Sequence, residues 1–140
     1  MTILHPSLAI YLHIPFCTTK CTYCAFNTYT NMEQLIPAFV DALIKEITIV
    51  GDVSPHHDVS SVYFGGGTPS LLSPQQVNSI LNALYHSFHI NNDCEITFET
   101  NPNDLNTKYL AELHGCGVNR LSIGMQSANS GELQLFDRRH

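Results

Sequence analysis

Positive charge is scarce in this chain. Six Lys and Arg stand against twelve Asp and Glu, for a net charge of −6, and the basic residues form no cluster. This balance argues against nucleic acid or an anionic membrane surface as a partner. Long apolar runs are also missing, so no integral membrane segment is expected. Met1 to Pro6 has no basic region and is interrupted by His5 and Pro6, so no secretion signal is expected there. The cysteines number five, an odd set. Without a secretion signal, the expectation is a cytoplasmic setting and no disulfide framework. Hydrophobic residues make up 44% of the chain and charged ones 13%, the composition of a folded, soluble protein. A length of 140 residues allows one domain with a hydrophobic core.

What the chain does have is three cysteines in eight residues, Cys17, Cys21 and Cys24. They follow a strand-like run, Ala9 to Ile14, and a Pro15-Phe16 break. Clustered thiolates suit a soft metal site. Most iron–sulfur clusters take four cysteines, so a set of three leaves one iron open, as an open catalytic zinc site keeps a free position. A zinc site, with His13 or Cys116 as fourth ligand, is the alternative.

Along the chain, strands alternate with helices. Helical spacing of Ile36, Phe39, Val40, Leu43, Ile44 and Ile47 predicts a helix over Glu33 to Val50, with Pro37 tolerable in its first turn. Gly51 to Asp58 reads as a loop. Val59 to Phe64 reads as a strand ending in Gly65-Gly66-Gly67-Thr68-Pro69. Ser73, Pro74 and Gln76 predict a capped helix burying Val77, Ile80, Leu81, Leu84 and Phe88. Glu95 to Thr100 reads as a third strand. A short helix through Leu110 and Leu113 stops at Gly115 and Gly117, and Leu121 to Gly124 reads as a fourth strand. A last helix is expected over Asn129 to Arg139, with Asn129 and Glu132 as a capping pair. Such alternation implies parallel pairing with right-handed crossovers. The polar and glycine-rich segments all follow strands, which is where parallel α/β folds build their sites. Four loops should therefore converge on one rim. The expected fold is α/β: a partial (β/α) barrel with helices outside, cut off before closure and leaving an unpaired edge. Residues 1–140 are expected to be the N-terminal portion of a larger core domain, without its C-terminal domain.

Tyr11-Leu12-His13-Ile14-Pro15-Phe16-Cys17 and Cys21-Thr22-Tyr23-Cys24-Ala25-Phe26-Asn27 resemble the radical S-adenosylmethionine (SAM) superfamily. Within it they resemble the branch of oxygen-independent coproporphyrinogen III oxidase and the heme chaperone HemW. Val62 to Ser70 (VYFGGGTPS), Glu99-Thr100-Asn101-Pro102 and Gly117 to Ser127 match in family order, so the resemblance spans nearly the whole chain. The oxidase usually carries a further cysteine two positions after the third cluster cysteine. Here that position is Phe26, and the C-x-F pattern resembles the heme-chaperone subgroup. Ala25 and Ser127-Ala128-Asn129 depart from that subgroup's pattern.

The resemblance implies that Cys17, Cys21 and Cys24 hold three irons of a [4Fe–4S] cluster. The fourth iron would take the amino and carboxylate groups of SAM, and an electron would break the sulfonium C–S bond to give a 5′-deoxyadenosyl radical. It places Tyr11, Tyr23, Gly66, Gly67, Thr68, Glu99, Gln126 and Arg138 as cofactor-binding residues. Glycines let backbone carbonyls come close to the SAM ammonium. Tyr23 would stack on adenine, and Glu99 would accept from ribose hydroxyls or the methionyl amine. In some members a second SAM lies near the first, matching Tyr23, Gly67, Gln126 and Arg138. The function implied is binding of heme and its delivery to recipient hemoproteins, with an electron donor serving the cluster. The alternative is radical decarboxylation of coproporphyrinogen III. Read by themselves, the aromatics suit core packing and a lone Glu suits the surface. His56-His57 falls in a loop. His86, His89 and His114 read as helical, and nothing in their spacing selects a heme ligand. Cys94 and Cys116 read as small buried hydrophobes.

Overall fold

The computed structural model describes residues 7–54, 57–138 and 140; His56 lies outside that set. Seven residues, Leu8–Ile14, form β1, and two, Phe16–Cys17, form β2. Then come β3 (Tyr29–Thr30), α1 (Ile36–Val53), β4 (Asp58–Gly66), α2 (Pro74–Ser87), β5 (His89–Thr100), α3 (Thr107–Cys116), β6 (Arg120–Ile123) and α4 (Ser130–Leu135). Four strands make one sheet in the order β1-β4-β5-β6, every pair parallel. This is the expected α/β architecture with an unclosed sheet.

Strand alternation divides the sheet into two faces. Leu12, Ile14, Val62, Phe64, Ile96 and Phe98 point to the helix side and are buried. They pack with Val40 and Ile47 of α1, Val77, Ile80, Leu81 and Leu84 of α2, and Leu113 of α3. Tyr11, Tyr63, Thr97 and Glu99 alternate with them on the opposite, inner face. Helices thus cover one face only, as in a barrel wall. On the β6 edge, Leu121 and Ile123 are exposed.

Boundaries differ from the expected ones where tertiary pairing wins over local pattern. β5 begins at His89, not Glu95, because Asp58 and Val59 pair with His89 and Ile90 before a register shift admits the polar Asn91 to Asp93 stretch. His89 is accordingly a strand residue, and its ring meets the Asp58 carboxylate at 2.6 Å. α1 runs on to Val53, with Pro37 in its first turn, after a 3-10 turn over Glu33–Leu35. The Ser73–Gln76 capping box forms as expected, and Phe88 follows the helix as its C-cap. Gly115 lies inside α3, and left-handed Gly117 ends it. α4 stops at Leu135, with Asp137 in a left-handed conformation just beyond. Asn129 caps α4 by accepting from the Gly131 and Glu132 amides, but the Glu132 carboxylate accepts from the Ser127 hydroxyl instead of completing a box.

Candidate functional site

The carboxyl ends of the strands surround a cavity of about 300 Å³. Every expected loop reaches it: Cys17, Cys21, Tyr23 and Cys24; Gly66, Gly67 and Thr68; Glu99; and Gln126 with Arg138. The parallel topology, with helix connections returning each strand in the same direction, brings these sequence-distant segments to one rim.

The cysteine loop is fastened at both ends. At its base β2 pairs with β3, Phe16 opposite Tyr29 and Cys17 opposite Thr30, and the Tyr29 amide donates to the Pro15 carbonyl at 2.7 Å. The ring of His13 lies alongside; its Nε2 is 2.9 Å from the Asn27 carbonyl and its Nδ1 is 3.1 Å from the Tyr11 hydroxyl. At the tip, the Thr22 hydroxyl donates to the Leu135 carbonyl at 3.1 Å. The Tyr23 and Phe136 rings meet edge to face, 5.4 Å apart. The Arg138 guanidinium donates to Cys21 Sγ at 3.4 Å and also to the Gly124 carbonyl. The Thr68 hydroxyl donates to Cys17 Sγ at 3.5 Å.

The glycine segment is held as tightly. The Gly67 amide donates to the Ile14 carbonyl at 2.8 Å and the Thr68 amide to the Phe16 carbonyl at 2.7 Å. Gly66 has φ +109°, and a Cβ there would lie 2.6 Å from His13 Nδ1, so both conformation and space call for glycine. Behind this segment, the buried Ser70 hydroxyl donates to Asp104 at 2.6 Å and accepts from the Asn101 amide at 3.2 Å. The Tyr109 hydroxyl donates to the Leu72 carbonyl at 2.9 Å, and burial pushes this phenol well above the usual tyrosine range. These bonds tie the GGGTPS and ETNP segments together.

Glu99 accepts from the Tyr63 hydroxyl at 2.6 Å and from the Gly66 amide at 3.2 Å. Tyr11 is the one expected site residue outside the cavity lining. It stands on the inner face, stacked on Tyr63 with centroids 6.0 Å apart, and burial followed by the Glu99 charge raises its pKa. Sequence reasoning gave Phe26 only as a subgroup marker, and Asn101 and Ser122 only as motif residues without a site role; it missed Lys20 and Thr28 of the lining. Thr28 is buried, and among the described residues neither its Oγ1 nor Arg138 Nε has a hydrogen-bond partner. Gln126 and Asp137 line the cavity with positive φ, backbone strain of the kind that gathers at ligand sites.

The donor set fits an iron–sulfur cluster better than zinc. Among the described lining residues no fourth Cys and no His accompanies the three thiols. His13 is engaged at both ring nitrogens, and Cys116 lies on α3, its thiol directed to the Pro74 carbonyl. Among the described residues no three His, Cys, Asp or Glu side chains gather around one point. Three thiols with no fourth donor are the set that a cluster with one open iron takes, and one donor fewer than a closed zinc site needs.

Fold and site together define a parallel α/β partial barrel that presents three thiols, a glycine-rich strand end and a carboxylate to one cavity. The radical SAM superfamily model matches residues 11–140, and the chain belongs to that superfamily. It is 43% identical over 132 residues to the bovine (Bos taurus) mitochondrial radical S-adenosyl methionine domain-containing protein 1, covering 94% of this chain and 30% of that protein. It is 36% identical to the heme chaperone HemW of Buchnera aphidicola, covering 95% of this chain and 36% of HemW. The solved structure of Escherichia coli coproporphyrinogen III oxidase (HemN) superposes with a TM-score of 0.90 at 33% identity, covering 97% of this chain and 32% of that one. The chain thus spans about a third of the length of these relatives. Among the described residues no helix is long and apolar enough to cross a membrane.

Proposed function

We propose that this chain holds a [4Fe–4S] cluster and SAM in the rim cavity and serves a protein that binds heme and passes it to hemoproteins. The observation that carries the first part is the cavity lining itself. Cys17, Cys21 and Cys24 share it with Gly66, Gly67, Thr68 and Glu99, without a fourth Cys or His among the described lining residues. Three thiols would each hold one iron. The bound cluster would supply the electron that cleaves the sulfonium C–S bond of SAM. The remaining roles fall to the chain. Glu99 would accept hydrogen bonds from SAM hydroxyl or amine groups, and the glycine backbone would admit the methionyl end. Tyr23, Gln126 and Arg138 would contact the nucleotide or a second SAM. Tyr11 would act from the inner face, beyond the cavity lining.

Phe26 supports the heme-chaperone reading over the oxidase. It stands at the cavity wall, where the oxidase pattern would place another thiol. The likeness to coproporphyrinogen III oxidase keeps radical decarboxylation of porphyrinogen propionates as the second reading. His86 and His114 bond to backbone carbonyls and His89 to Asp58, so no histidine is put forward as the heme ligand. A cytoplasmic setting is the reading from composition; the bovine relative's name places that protein in mitochondria. The deciding experiment is anaerobic reconstitution, with paramagnetic resonance recorded with and without SAM. Heme titration is then set against porphyrin turnover under anoxia with SAM and reductant. A colourless preparation, or a cluster signal that ignores SAM, refutes the first part. Porphyrin turnover without heme binding refutes the second.

A further inference from the structure

Glu99 is gripped from two sides, and one of the two grips comes from outside the cavity. Tyr63 is not a lining residue. It sits opposite Thr97 in the ladder, two residues short of Glu99 on the same face, so its ring leans along the strand to reach the carboxylate. Two neighbours make that lean possible. A Cβ on Gly65 would lie 2.8 Å from Tyr63 Cε1 and 2.9 Å from Tyr11 Cε2, so any side chain at 65 would push both rings away. Tyr11 then backs the Tyr63 ring at an interplanar angle of 21°. The resulting 2.6 Å bond is of the short, charge-assisted kind.

We propose that Tyr63 is a positioning residue that acts through Glu99, fixing the carboxylate so that its free lone pairs face the hydroxyl or ammonium donors of a nucleoside-type ligand in the cavity. This rests on the SAM reading above. An ionised carboxylate offers about four acceptor sites. Tyr63 and Gly66 use one on each oxygen and leave the others for a ligand. A carboxylate oriented in advance loses less freedom when the ligand arrives. Burial, then the bond to Glu99, raises the Tyr63 phenol above its ordinary pKa, so it stays a donor at neutral pH.

The test titrates the full, anaerobically reconstituted chain with SAM by calorimetry, comparing wild type, Tyr63→Phe, Glu99→Ala and the double variant. Tyr63→Phe should weaken binding about ten-fold, the scale of one hydrogen bond to a charged group, and the double variant should bind as Glu99→Ala does. Losses that multiply in the double variant overturn the proposal, because Tyr63 would then act independently of Glu99. A second readout needs no ligand. The Glu99 carboxylate stretch, identified in isotope-edited infrared spectra by its loss in Glu99→Gln, should shift in Tyr63→Phe and stay in place in Thr97→Val. An unmoved band in Tyr63→Phe also overturns the proposal. If wild type takes up no SAM but the band shifts, the ligand reading fails and the positioning of Glu99 survives.

Discussion

Gly67 sits where two backbones and a thiol leave no room. A Cβ built on it would lie 2.5 Å from the Phe16 carbonyl oxygen, 2.9 Å from Cys17 Sγ and 3.0 Å from the Ile14 carbonyl oxygen. Two of these three are main-chain atoms and cannot swing aside. The Gly67 amide bonds to one of those carbonyls and the Thr68 amide to the other, so any movement that relieves the clash strains the same bonds. Overpacking of this kind costs about 1–3 kcal/mol, and losing one backbone hydrogen bond adds about 1 kcal/mol. Gly67→Ala should therefore destabilise the chain by about 2–4 kcal/mol. Gly115 is the matched control. Nothing lies within 4 Å of its added Cβ, and it sits inside α3, so Gly115→Ala should stabilise by up to about 1 kcal/mol. Urea unfolding followed by circular dichroism checks both on the same axis. Gly67→Ala should also take up less iron and sulfide on reconstitution, because Phe16 and Cys17 move with the displaced strand. An unchanged unfolding midpoint for Gly67→Ala, or an equal loss in Gly115→Ala, would refute the reasoning.

Replacing Cys21 by Ala should abolish cluster assembly, since the described cavity lining offers no thiol or imidazole beyond Cys17, Cys21 and Cys24; full retention of iron and acid-labile sulfide would show the ligand set to be wrong. Ser70→Ala removes both the bond to Asp104 and the bond from the Asn101 amide. It should cost about 1–3 kcal/mol and weaken SAM binding through the loosened GGGTPS segment, with denaturation and calorimetry as the readouts. Glu95 is held below the usual carboxylate range, first by its hydrogen bond from Arg120 and then by Thr97. A depressed carboxyl contributes stability above its unfolded pKa, about 4.3, and loses it as pH falls through the lower folded value. Arg120→Met should flatten that acid limb in thermal melts recorded from pH 6 to pH 3; an unchanged slope would count against the pairing.

The sequence made the larger plan legible because its signals are local. The 3.6-residue spacing of Ile36 to Ile47 and the Ser73–Gln76 cap each need a dozen residues or fewer to be read, and both appear as expected. So does the convergence of four post-strand loops, which follows from parallel order and needs no side-chain detail. What escaped depends on partners far along the chain. The β2–β3 ladder is two residues long, too short for any periodicity to show. The early start of β5 at His89 comes from pairing with Asp58, not from its own polar composition. Thr28 carries no pattern that marks it as cavity wall, although it is buried there and its hydroxyl has no partner among the described residues. Tyr63 was visible within VYFGGGTPS only as a strand residue; its reach to Glu99 depends on the bare Gly65 beside it.

The cysteine loop shows why the site could be named from local spacing yet not built from it. The C-x3-C-x2-C spacing fixes how far apart the thiols can lie. It does not fix where they point. At the loop's tip that is set by Leu135, Phe136 and Arg138, which meet Thr22, Tyr23 and Cys21 across more than a hundred residues of chain, and at its base by the pairing of Cys17 with Thr30. Arg138 also bonds to the Gly124 carbonyl just beyond β6, so the same side chain ties a thiol to the rim of the sheet. The residues matching the family's nucleotide contacts therefore also brace the loop that would hold the metal. The tip of the cysteine loop is organised only once β6 and α4 are in place, which makes the cavity a product of the whole described sheet and not of the motif that first reveals it.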